Sequence, residues 1–176
     1  TIKGITNDDL DPDDMITINW LGDDGASVKG CTINVKGVNS TDLLIITPKI
    51  GICGGYVAGG NAEYNTVDIS NVKFADSAEV YGGFSNSDSG EYSAYGAAAF
   101  SSGDTSGDVT NNEVKISGNT KFEKFYSIYG GNSSSGNANE NRVSISGGTF
   151  GDSNYYFGWV YGGWANSESG TANGNS

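Results

Sequence analysis

Gly136-Asn137-Ala138-Asn139-Glu140-Asn141-Arg142-Val143-Ser144-Ile145-Ser146 decides how this chain is read, because the same phrase, G-x-(A/V)-x-x-N-x-V-x-I-S, also runs from Gly60 to Ser70 and from Gly107 to Ser117. A further copy opens at Gly170, and Gly170 to Asn175 follows Gly136 to Asn141 in pattern before the chain stops at Ser176. Self-similarity at a spacing of a few tens of residues marks a solenoid, propeller or array. The sequence therefore reads as a slice of a longer repeat array.

Each V-x-I-S is followed by a small polar turn and a phenylalanine (Phe74, Phe122, Phe150), then by an aliphatic residue and Tyr-Gly-Gly: Val80-Tyr81-Gly82-Gly83, Ile128-Tyr129-Gly130-Gly131 and Val160-Tyr161-Gly162-Gly163. An atypical first unit carries Ile33-Asn34-Val35 and Ile52-Cys53-Gly54-Gly55 at the matching places. In an extended strand alternate side chains share a face, so V-x-I buries two branched residues and sends the middle one to water. A unit of two or three such strands cannot close a core alone, but stacked units can. Valines 67, 114 and 143 then form one interior column and the phenylalanines a second. The expected fold is all-β, a right-handed parallel β-helix with one repeat per coil or a coil of closely related section.

The asparagine two residues before each valine shares the valine's side of the strand. Asn65, Asn112, Asn141 and Asn175 are thus expected to point inward at a corner, where an amide can bond to its own turn and to the amide of the next coil.

Composition agrees. The chain has 28 glycines, two prolines and no histidine, and no stretch repeats its apolar residues at helical spacing. Ten tyrosines, seven phenylalanines and three tryptophans are too many for a disordered chain. A net charge of −12 repels phosphate backbones and anionic lipid, which argues against nucleic-acid binding and against membrane insertion by this segment. Residues 1–24 read as an acidic N-terminal segment or capping coil and residues 25–176 as the repeats. The acidic run through Asp9, Asp11 and Asp13 resembles the opening of a calcium loop, but Asp14 stands at the glycine position and Trp20 at the glutamate position, so no metal is expected.

Cys31 and Cys53 lie in the first unit, where later units carry asparagine and tyrosine. Two thiols without histidine make at best half a zinc site. A single bridge and a pair of buried thiols both fit. For an exported chain the bridge is the expectation, contributing about 3 kcal/mol through loop closure.

The tandem V-x-I-S-G-G-T-F, V-Y-G-G and S-G-x-A-x-x-N phrases resemble the passenger repeats of large bacterial autotransporter adhesins, the type V secreted surface proteins of Gram-negative bacteria. The resemblance spans residues 50–176 strongly and 25–50 weakly. It implies a β-helical passenger, secreted and held at the cell surface through an outer-membrane barrel outside this sequence, with host-cell or bacterial surface proteins or glycans as partners and no cofactor. It transfers no binding residue.

Two places stand out for contact. The interval from Asn65 to Asn112 is longer than the other intervals between ladder positions, which locates an insertion at about 84–106 carrying Phe84, Tyr92, Tyr95 and Phe100. Solenoid insertions emerge as loops on one face, often the binding face; an extra strand pair packed on the helix is the plainer alternative. The second place is Trp159, Tyr161 and Trp164, which alternation sends outward with Tyr81 and Tyr129 if Val160 points in. Such a ladder suits stacking on sugar rings or on a partner's aromatic residues, and it also suits tyrosines packing on one another to protect the sheet. Catalysis is not expected. Lyases and hydrolases on this fold need a basic proton abstractor or a carboxylate pair across a cleft, and the acids here scatter over loops. A rigid stalk is the alternative to an adhesin, with a carbohydrate-active enzyme third.

Overall fold

Valine and isoleucine alternating with polar residues build one wall of the molecule, and three further walls close around it. The computed structural model describes residues 15–21, 26–58, 60–86, 107–124, 126–134, 136–151, 158–166 and 170–176. Strand β1 (Met15–Leu21) precedes four coils. The first holds β2 (Val28–Lys29), β3 (Thr32–Lys36), β4 (Leu44–Ile46) and β5 (Lys49–Ala58). The second holds β6 (Ala62–Glu63), β7 (Thr66–Ser70), β8 (Val72–Phe74) and β9 (Ala78–Asn86). The third holds β10 (Val109–Thr110), β11 (Glu113–Ser117), β12 (Lys121–Phe122) and β13 (Tyr126–Ser133). The fourth holds β14 (Ala138–Asn139), β15 (Arg142–Ile145), β16 (Thr149–Phe150) and β17 (Gly158–Ala165).

Like strands of successive coils pair in parallel and form four sheets: A (β1-β5-β9-β13-β17), B (β2-β6-β10-β14), C (β3-β7-β11-β15) and D (β4-β8-β12-β16). The molecule is a parallel β-helix with one repeat per coil, and no helix occurs among the described residues. Each coil carries four strands, where the sequence pattern suggests two or three. The extra wall is sheet B, whose two-residue strands are too short to show an alternation.

Register is strict. Ile33, Val67, Val114 and Val143 are Cα partners in sheet C, and Val35, Ile69, Ile116 and Ile145 form the next row. Phe74, Phe122 and Phe150 stack in sheet D with ring centroids 4.8 and 5.1 Å apart. Each such pair contributes about 0.5–1.5 kcal/mol beyond area burial. These columns, apart from the exposed Ile145, form the main apolar cluster with Ile52, Val80 and Ile128 from sheet A. Strand β1 extends sheet A beside β5, with a register shift between Asn19 and Leu21, so residues 15–21 pair with the first coil.

The corner between sheets B and C is polar and buried. Asn65 Oδ1 accepts the backbone N–H of Cys31 at 3.0 Å, Asn112 Oδ1 that of Asn65 at 2.9 Å, Asn141 Oδ1 that of Asn112 at 3.0 Å, and Asn175 Oδ1 that of Asn141 at 2.8 Å. The Nδ2 groups donate back to the carbonyls of Val28, Ala62, Val109 and Ala138. They also donate along the row to the next Oδ1, at 3.0, 2.9 and 3.3 Å. Asn65, Asn112 and Asn141 are buried, and no buried side-chain nitrogen or oxygen among the described residues lacks a partner.

The Tyr-Gly-Gly phrase belongs to the same corner. A Cβ on Gly83 or Gly131 would come closer than 3.0 Å to the side chain of Asn112 or Asn141. A Cβ on Gly82 or Gly130 would strike the carbonyl of the corresponding glycine one coil on. The pair also resets strand alternation, since Ile52 and Val57 are both fully buried though an odd number of residues apart. The residue before each ladder position sits in the left-handed region: Gly30, Tyr64, Asn111, Glu140 and Gly174 have φ of 70, 55, 56, 56 and 65°. This turn aims the asparagine inward.

Asn112→Ala removes the acceptor for the Asn65 amide and one donor to the Ala62 carbonyl without changing the apolar core. Orphaned buried polar groups cost about 1–3 kcal/mol each. The substitution is expected to lower unfolding free energy by about 2–4 kcal/mol in urea titration, and a change under about 1 kcal/mol would show that the ladder is dispensable.

Candidate functional site

The outer face of sheet A gathers the aromatic residues. Ile52, Val80, Ile128 and Val160 form one row of Cα partners, and their neighbours Cys53, Tyr81, Tyr129 and Tyr161 form the outward row. The rings of Tyr81 and Tyr129 stack at 5.1 Å and 3°, those of Tyr129 and Tyr161 at 5.3 Å and 11°. Trp164 meets Tyr161 edge-on at 5.0 Å. Trp159 lies one residue before Val160, in register with Ser127 and Glu79.

Exposure is graded along this ladder, in contrast to the uniformly exposed ladder that alternation suggests. Tyr81 is only 4% exposed, because it packs with Cys53, Tyr56 and Tyr129 and its hydroxyl donates to Glu79 Oε2 at 3.1 Å. Tyr129 and Tyr161 are half-buried, while Trp159 is 48% and Trp164 39% exposed. Trp159 and Trp164 lie on β17, the edge strand of sheet A, where Val160 of the inward row is 43% exposed as well.

The insertion is seen only at its edges. Strand β9 continues through Phe84 to Asn86, with Phe84 the Cα partner of Tyr56 and Asn132. Asn132 in turn pairs with Trp164, so Phe84 and Trp164 share one register row. Tyr92, Tyr95 and Phe100 lie outside the described residues.

Cys31 and Cys53 are not joined by a disulfide, which corrects the expected bridge. Cys31 takes the inward ladder slot and packs with Val28, Val57, Ala62 and Val109, whereas Cys53 takes the outward tyrosine slot beside Tyr56 and Tyr81. Cys31 lies at the corner between sheets B and C, and Cys53 lies in sheet A.

Sequence reading missed Glu79, whose position opposite Ser127 and Gly51 gives it no recurring signature. Burial raises its pKa, and the hydrogen bond from Tyr81 opposes this only in part. Burial likewise pushes the Tyr81 phenol well above its usual value, with the Glu79 and Tyr129 charges adding to it. A carboxyl with a raised folded pKa binds its proton more tightly in the folded state. Its stabilising contribution is present below the usual carboxyl range and is lost as pH rises through the raised value.

Glu79→Gln keeps an acceptor for the Tyr81 hydroxyl and removes the charge. The thermal midpoint at pH 7 should rise, and the gain should shrink toward pH 4; a lower midpoint at pH 7 would overturn this account of Glu79. For the thiols, denatured but unreduced protein should take two alkyl groups per chain by mass measurement, and uptake of none would establish a Cys31–Cys53 bridge.

The chain matches no protein-family model, no curated protein and no solved structure, so any function must be argued from the geometry of this surface and the repeats beneath it.

Proposed function

We propose that this chain is a non-catalytic binding segment of a secreted bacterial surface adhesin, and that it takes a glycan or protein on the aromatic end of sheet A. One observation carries the reading: Trp159, Tyr161 and Trp164 stand on a single short strand, with Tyr161 stacked on Tyr129 from the coil below and edge-on to Trp164. Rigid rings fixed by packing contribute contact area at little entropic cost, and tryptophan and tyrosine are the residues that most often dominate binding energy. The surface placement rests on the resemblance of the repeats to autotransporter passengers.

Five acids of the β-helix, Glu63, Asp68, Asp76, Glu113 and Glu123, are each within ion-pair distance of a lysine. Carboxylates tied up on outer faces support binding over acid–base chemistry. The unbroken amide row from Cys31 to Asn175 favours a second reading, a rigid stalk that spaces other domains.

The test is binding of the chain to arrays of glycans and surface proteins, beside the double variant Trp159→Ala, Trp164→Ala. The adhesin reading expects a specific array signal that falls at least about tenfold in the variant while the β-rich circular dichroism spectrum is kept. Absence of any signal from the parent chain supports the stalk.

A further inference from the structure

Away from sheet A, a groove of about 460 Å³ opens where sheet D turns toward sheet A. Ala75, Lys121, Phe122, Glu123, Lys124, Thr149 and Gly151 line it. Lys121 is the Cα partner of Lys73 in the coil below and of Thr149 in the coil above. Parallel neighbours lie about 4.8 Å apart, and like charges directly opposite one another destabilise a sheet.

Two of the three lysines are compensated. Lys73 Nζ lies 2.8 Å from Glu123 Oε1, and Lys124 Nζ lies 2.7 Å from Asp76 Oδ2. Burial alone would raise the Asp76 pKa, but the Lys124 and Ser77 hydrogen bonds hold it below the usual range, so that pair stays charged. Lys121 has no hydrogen-bond or ion-pair partner among the described residues. Lys121 thus brings to the groove a positive charge that no described residue offsets, in a chain whose net charge is −12.

We propose that this groove is a binding site for a sugar acid, with the ligand carboxylate on Lys121. A carboxylate on Lys121 supplies a counter-charge and offsets its repulsion with Lys73 across the sheet. The volume falls in the range of small-molecule sites, about 300–1,000 Å³, and is far larger than a bare anion fills. The Thr149 hydroxyl, Glu123 and Lys124 offer donors and acceptors for ring hydroxyls, and Ala75 and Gly151 leave the space open by their size. The site uses none of the sheet A aromatic residues and stands apart from the adhesin reading.

Titration of the isotope-labelled chain with glucuronate, followed by amide and lysine side-chain NMR shifts, tests this, with glucose and acetate as separate arms. Glucuronate should saturate with a Kd on the order of 1 mM at low salt and weaken as salt is added. Lys121→Gln should weaken it at least about fivefold, Lys121→Arg should retain it, and Lys36→Gln on sheet C should leave it unchanged. The ligand-free Lys121→Gln protein should melt no lower than the parent, since a repulsion is removed. Absence of saturation, or equal affinity in Lys121→Gln, overturns the site. Glucose binding as tightly as glucuronate overturns the role of the carboxylate, and acetate binding as tightly overturns the assignment to a sugar acid.

Discussion

A buried asparagine amide that bonds both to the backbone and to its own counterpart one coil away is the constraint on which the rest of this β-helix depends. An amide has two donors and one acceptor oxygen, and here all are used: the oxygen takes a backbone N–H and a side-chain N–H from one neighbouring coil, and the nitrogen supplies a carbonyl and the next oxygen. Shifting one coil by a residue would strand these groups in an apolar interior, and would also turn the aliphatic columns outward, so amide row and columns pin the same register. The glycine pair, the left-handed residue before each asparagine and the short strands of sheet B are consequences. Each exists to let the amide reach the axis of its corner.

The walls were legible in the sequence to different degrees, for physical reasons. Val114 and Ile116 announce sheet C because alternation over five residues is a readable period, and Phe122 marks sheet D by recurrence. Val109-Thr110 carries no period of its own, so sheet B was missed. Gly131 recurs plainly, yet its purpose lies in the Asn141 side chain ten residues along the chain and on another wall, which no local pattern reveals. The left-handed corner was invisible because its occupants, Gly30, Tyr64, Asn111, Glu140 and Gly174, share a conformation and not a chemistry.

The candidate sites were legible in part. The outward direction of Tyr161 follows from its offset from Val160, but the burial of Tyr81 depends on what packs over it, and alternation does not report that. The same rule, applied to the cysteines, separates them: Cys53 follows Ile52 and so faces out, while Cys31 stands in the slot of Asn65 and so faces in. Lys121 escaped notice because a lysine on a strand is ordinarily a solvated side chain. Only the register that sets it against Lys73 makes it unusual.

Strand pairing also governs how this molecule bears load. Hydrogen bonds between coils run along the stack, so tension applied along that direction loads every coil boundary in series, and the weakest boundary yields first. Under pull the β-helix should yield in steps of one coil, in order of boundary strength. The boundary across Asn112 and Asn141, where aromatic stacking in sheets A and D reinforces the amides, should hold longer than the boundary at Cys31, where a thiol stands in the ladder slot. Extension would then proceed in an order written into the side chains of one corner.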